Sequence, residues 1–154
     1  MAITNKSYMA KAGEVESKWY LVDATDVALG RLASQVAMIL KGKNKPTYTP
    51  NVVTGDHVII INCAKVLLSG NKLEQKYHRY HTGYIGGLKE IQYKKMMAEK
   101  PEKAVYLAVK GMLPKNKIGS AMLKMLRVYP GADYANVAQK PETLVITGHV
   151  YDEK

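Results

Sequence analysis

The segment Trp19 to Asn62, WYLVDATDVALGRLASQVAMILKGKNKPTYTPNVVTGDHVIIIN, decides the architecture. It opens on WYLVDA (19–24), aromatic and aliphatic residues of strand type. It closes on HVIIIN (57–62), an apolar run without alternation, as expected of a strand buried on both faces of a parallel sheet. Between them Leu29, Leu32, Ala33, Val36 and Leu40 recur at helical spacing, which predicts a helix over 27–41 with that face buried. Thr25 and Asp26 are its candidate N-caps, Gly42 can stop it, and Pro46 forbids its continuation. A strand, a helix and a second buried strand form a βαβ unit with a right-handed crossover. The expected class is α/β.

Further along, Lys65–Ser69 and Lys76–His81 flank the turn-like Gly70-Asn71-Lys72 and are expected to pair as a hairpin. Gly83 to Gly87 reads as a loop. A short helix is expected over 91–100. Another starts at Pro101 and Glu102, with Gly111 at its C′ position. An amphipathic helix over 118–127 and a last strand over 144–147 complete the reading. Residues 1–17 read as a loosely held arm, 18–147 as a single α/β domain and 148–154 as a tail. At 154 residues, 47% of them hydrophobic, the chain can bury a core without disulfides or metals.

Charge is the unusual property. The net charge is +10, and residues 27–132 carry eighteen basic against five acidic side chains, while both ends are close to neutral or acidic. The cationic surface must therefore be built on the fold and not on a tail, which points to nucleic acid or an anionic membrane. From Lys103 to Ala132 there are six Lys or Arg and no carboxylate. Within that window Ile118, Ala121, Met122, Met125 and Leu126 recur as one helical face, and Lys117, Lys124 and Arg127 fall on the other. This helix is too short, and its apolar side too readily explained as core, to favour a membrane. No apolar run approaches a membrane span, and the polar N-terminus lacks a secretory signal pattern, so a cytoplasmic protein is expected.

Catalytic and metal chemistry find little support. HTGYIGG (81–87) is neither a P-loop nor the dinucleotide fingerprint. Gly83-Tyr84-Ile85-Gly86 matches the bare GxxG of a KH domain, but that loop joins two helices and here a strand-like run precedes it. His78 and His81, three apart on a strand, point to opposite faces and do not share an ion with Cys63. Cys63 itself reads as a buried, inert thiol. No cofactor, metal or small-molecule substrate is expected. The tract Lys76 to Tyr84 offers phosphate donors, stacking faces and close-approach glycines suited to RNA. An edge strand with outward tyrosines explains it equally well; what favours RNA is that 41–45, 76–87 and 110–127 all carry excess positive charge. A small α/β enzyme processing RNA or a phosphorylated ligand through HTGYIGG is the alternative.

The blocks WYLVDATDVALGRLAS (19–34), YTPNVVTGDHVIIINCAKVLLSGNK (48–72), HTGYIGG (81–87) and VKGMLPKNKIGSAMLKMLRVYPG (109–131) together closely resemble the L-thirteen family of large ribosomal subunit proteins, in its bacterial or organellar form. The resemblance implies a single three-layer α/β/α domain with a mostly parallel four-stranded sheet and no catalytic activity. It also implies binding to large-subunit rRNA, beside neighbouring large-subunit proteins, and a part in early subunit assembly. Carried onto matching positions, the RNA-facing residues are Arg31, Lys41, Lys43, Lys45, the tract His78, Arg79, Tyr80, His81, Gly83, Gly86 and Gly87, and then Lys110, Lys115, Lys117, Lys124 and Arg127. Lys72 completes the candidates.

Overall fold

A computed structural model describes residues 8–146. Strand β1 (Trp19–Asp23), helix α1 (Leu29–Lys41) and strand β2 (His57–Ile61) form the anticipated βαβ unit. The two strands pair in parallel, from Trp19 opposite His57 to Asp23 opposite Ile61. Val58, Ile59 and Ile60 are all fully enclosed, so both faces of β2 are covered, as its unbroken apolar run requires. The whole expected face of α1 is buried too. Each leucine or valine of that face contributes about 1.5–3 kcal/mol on full burial, which is what holds the helix to the sheet.

Neither Thr25 nor Asp26 caps α1, which begins two residues later than expected. Thr25 turns back, its N–H and hydroxyl both donating to Asp23 Oδ1 (2.9 and 2.7 Å), and Asp26 adopts a left-handed backbone (φ 57°). The Leu29 N–H donates instead to Leu67 O at 3.0 Å, and the Leu67 N–H donates to Val27 O at 3.1 Å. That reciprocal pairing also decides the segment that follows β2. Residues 65–69 form no hairpin with 76–81, because Leu67 is committed to the start of α1. Cys63–Lys65 is a 3-10 turn and Lys72–Gln75 a single helical turn, α2.

The hairpin that does form joins β3 (Tyr77–His81) to β4 (Leu88–Gln92), antiparallel and separate from the main sheet. The helix expected over 91–100 is accordingly trimmed to α3 (Tyr93–Glu99). Helix α4 (Pro101–Met112) starts where Pro101 predicts but runs through Gly111, which is helical and not a C′ residue. It ends at Leu113, whose extended backbone (ψ 157°) is imposed by the following Pro114. Helix α5 (Lys117–Lys124) stops short of 127, and Leu126–Val128 becomes strand β5, taken up by the open edge of β2 in parallel. The buried stripe of α5 is Gly119, Met122 and Leu123; Ala121, assigned to that face from the sequence, is exposed. Strand β6 (Glu142–Thr143) lies two residues upstream of the expected last strand, and the Leu144 N–H still donates to Leu21 O at 2.8 Å. Thr147, the expected tail 148–154 and residues 1–7 of the expected arm lie outside the described residues.

The sheet order is β5-β2-β1-β6 with every pairing parallel, and α1 packs against α4 and α5 over the core. The chain has an α/β fold with a parallel four-stranded sheet.

The return from α1 to β2 depends on close backbone approach. Gly42 ends the helix in the left-handed region (φ 76°), its N–H donating to Ile39 O at 2.9 Å. A Cβ on Gly55 would collide with the Leu40 carbonyl, so only glycine fits where 54–56 crosses the helix end. Next to it Asp56 is fully buried, its Oδ1 accepting from the Lys18 N–H (2.9 Å) and from Lys45 Nζ (2.6 Å), and Lys45 Nζ also donates to Glu16 O (2.9 Å). The described part of the expected loose arm is therefore fastened down, with Ala10 buried and its N–H donating to Thr49 Oγ1 at 3.1 Å. Replacing Asp56 by Ala leaves both donors without their acceptor and is expected to lower stability by about 2 kcal/mol, measured as a urea midpoint shift at unchanged slope. Asp56→Asn, which keeps an acceptor but no charge, should recover part of that loss.

Candidate nucleic-acid interface

The acid-free window is arranged around the turn between α4 and α5. Lys110 lies in the last turn of α4, Lys115 in the loop, and Lys117 and Lys124 at the first and last positions of α5. The loop is rigid for local reasons. Asn116 caps α5, its Oδ1 accepting from the Gly119 N–H at 2.8 Å, and Gly119 packs so closely on the Pro114 carbonyl that a Cβ would overlap it. Lys117 and Lys124, seven residues apart, share one face of the helix. All four lysines are exposed, and none has an ion-pair partner among the described residues.

Arg127 departs from this stripe. It sits on β5 opposite Ile59, on the sheet face away from Leu126, so it does not continue the α5 cations. Its charge acts on His57, whose imidazole stacks on Trp19 (4.1 Å between ring centres, 9° between planes). Nothing in the sequence signalled this pair, because the two rings meet only through the β1–β2 register.

Arg31, Ser34, Met38 and Lys41 recur at helical spacing along the outer side of α1. Lys41 and Lys43 border a shallow hollow with Met112 at the end of α4. A second hollow brings Lys72 and Lys76 together with Gly30, Gly111 and Met112. The end of α4 thus joins cationic tracts that are separate in sequence. Two candidates are otherwise engaged. Lys45 is turned inward onto buried Asp56. Arg79 pairs with Glu90 across the hairpin at 2.6 Å. Lys72 Nζ donates to Ser69 Oγ at 2.6 Å and stays exposed.

On the hairpin, His78 and Tyr80 share one face and are stacked (5.7 Å); Tyr77, Arg79 and His81 share the other. Gly83 (φ 93°) and Gly86 (φ 70°) shape the tip, where His81 Nδ1 accepts from the Gly83 N–H at 2.9 Å, and Gly87 closes it. The GxxG segment joins two strands and not two helices, which removes the KH comparison. Cys63 is buried, and burial together with the Glu102 charge pushes its thiol up to about 11. No cluster of three metal-ligating side chains, and no helix long and apolar enough to cross a membrane, occurs among the described residues.

Fold and surface together define a class: a small α/β scaffold that displays cations on rigid helix ends and a projecting hairpin. The comparisons with known proteins narrow this. The family model for ribosomal protein L13 matches residues 17–135. The Large ribosomal subunit protein uL13 of Thermoanaerobacter sp. (strain X514) is 62% identical over 141 residues, covering 92% of this chain and 99% of that protein. Those of Ruminiclostridium cellulolyticum and Clostridioides difficile (strain 630) are 60% and 58% identical over 139 residues, covering 90% of this chain and 96% and 97% of theirs. The chain belongs to the ribosomal protein L13 family, and is a structural component of the ribosome with no enzymatic activity, which overturns the enzyme alternative.

Burial, and then the Arg127 charge, lower the His57 pKa below its ordinary 6.5, with Asp56 opposing. The unfolded chain therefore binds this proton more readily, and stability falls as pH drops below 6.5. Imidazolium quenches a stacked indole, and Trp19 is the one tryptophan. Its fluorescence should titrate with a midpoint under 6.5, and His57→Phe should abolish that titration and flatten the loss of thermal stability. A midpoint above 6.5 would contradict the lowering by burial and Arg127.

Proposed function

We propose that this chain is a structural constituent of the large ribosomal subunit that binds large-subunit rRNA and helps early subunit assembly in the cytoplasm, beside neighbouring large-subunit proteins. The observation that carries the RNA reading is the set Lys110, Lys115, Lys117 and Lys124, exposed, held on a capped turn and lacking carboxylate partners among the described residues. Solubility does not require a one-signed face, since mixed charge serves as well. Close relatives that carry the name Large ribosomal subunit protein support the choice of subunit.

The proposed surface runs from this turn across the end of α4 to Lys41, Lys43 and Arg31, then to Lys72, and along the hairpin through His78, Arg79, Tyr80, His81, Gly83, Gly86 and Gly87. Arg127 serves the same RNA from the sheet edge. Lys45 takes part indirectly, by holding the loop that carries Lys43. The mechanism is electrostatic and geometric: phosphates from several rRNA segments are neutralised and held in their assembled arrangement.

With on the order of six phosphates contacted, the logarithm of affinity should fall steeply with the logarithm of salt, each contact adding roughly 0.7–0.9 to the slope. Reversing Lys110, Lys115, Lys117 and Lys124 to Glu should abolish rRNA-fragment binding while leaving the circular dichroism spectrum unchanged. Unaltered affinity and slope in that variant would rule the surface out.

A further inference from the structure

A groove of about 430 Å³ opens where the end of α4, the Pro114-Lys115-Asn116 loop and α5 meet. Its size lies within the range of ligand sites. Leu107, Leu113, Pro114 and Leu123 line it with apolar surface, and Lys110 and Lys115 stand at the same groove. No carboxylate among the described residues contributes to it. Asn116 spends its Oδ1 on the Gly119 N–H, and its amide N–H groups have no partner among the described residues. An apolar slot beside unpaired cations and an unspent amide donor suits a ligand that is flat, apolar on its faces, polar at its edge and linked to an anion.

We infer that this groove accepts an unstacked nucleobase of single-stranded rRNA, with the adjoining phosphate on Lys110 or Lys115. The inference rests on the RNA-binding reading above and adds a base-binding subsite to it. Charge complementarity selects the occupant. The unpaired cations continue past the groove to Lys117 and Lys124, which matches an extended polyanion better than an isolated acidic side chain of a protein. A base inside an A-form duplex cannot reach such a slot, so the segment must be a loop, bulge or end.

Gly111 supplies a variant that tests the slot without touching charge. It lines the groove, and a Cβ placed on it meets nothing within 4 Å. Gly111→Leu should therefore fold, with a gain in helix propensity, while covering the opening. Ser120→Phe obstructs the same groove from α5 and guards against a misfolding artefact. The probe is a short single-stranded oligoribonucleotide carrying 2-aminopurine, compared with the same strand in which that position is abasic.

In the wild-type protein the base should raise affinity about tenfold over the abasic strand, the scale of a single base contact, and the 2-aminopurine emission should change on binding. Both groove variants should lose that advantage and that signal, while keeping the wild-type salt slope. Equal affinity for both strands in the wild-type protein would overturn the inference. So would groove variants that keep the base advantage while the four-lysine reversal loses binding, and in that case the electrostatic surface stands. Groove variants that bind RNA normally but fail to hold neighbouring large-subunit proteins would overturn it in favour of a protein occupant. Loss of RNA binding in none of these proteins would remove the underlying reading as well.

Discussion

The contact on which most of this structure depends is the crossing of Gly55 over the last turn of α1. Backbone meets backbone there, with no room for a Cβ, and the Asp56 N–H donates to Ile39 O at 3.2 Å. The crossing sets where β2 begins, and β2 is the strand through which β1 and β5 are joined. It also brings Asp56 into the interior as a buried carboxylate, which is costly unless it is compensated. Lys45 and the Lys18 N–H both donate to its Oδ1, and the Glu16 carbonyl in turn accepts from the Lys45 ammonium and holds it in place. A single close approach therefore aligns the sheet, seals the described N-terminal segment and fixes the loop that exposes Lys43.

The turn between α4 and α5 applies the same kind of constraint to the cations. Pro114 forces Leu113 out of the helix, Asn116 starts the next one, and Gly119 lets the two segments touch. Like charges on such a frame repel, but exposed lysines are screened over about 10 Å at ordinary salt, so the penalty to the free protein is small. The frame matters more for binding, because cations already in place lose less conformational freedom when a polyanion arrives. Lys45 and Arg79 show the contrast: each faces a carboxylate, and each holds an element in place.

Legibility from sequence followed the range of the determining contacts. Strands β1 and β2, the buried face of α1 and the stop at Gly42 were readable because periodicity and left-handed glycine are local signals. The pairing partner of β3 was not, since Leu67 is drawn to the N-terminus of α1 by a carbonyl that no local pattern reveals. Strand β5 resembles helix in the sequence because Met125 and Leu126 continue the apolar spacing of α5, and only the open edge of β2 draws 126–128 into a strand. Ala121 falls on the apolar face by spacing because glycine does not register as apolar, whereas the tight seat of Gly119 turns the helix so that Leu123 is buried instead. Lys45 reads as a surface cation until Asp56, eleven residues on, is seen to be enclosed.

The hairpin of β3 and β4 is bound by different physics from the rest. Two strands apart from any sheet are marginal by themselves, and this pair is anchored mainly at its base. There the Tyr93 N–H donates to Lys76 O at 2.9 Å, the Lys76 ammonium lies 4.5 Å from the Tyr93 ring centre, and Ile91 packs against the core. Its far end exposes Tyr84 (80%), Ile85 (107%) and Leu88 (56%). Apolar surface concentrated at one projecting tip is a cost to an isolated chain, and monomeric proteins seldom carry it without use.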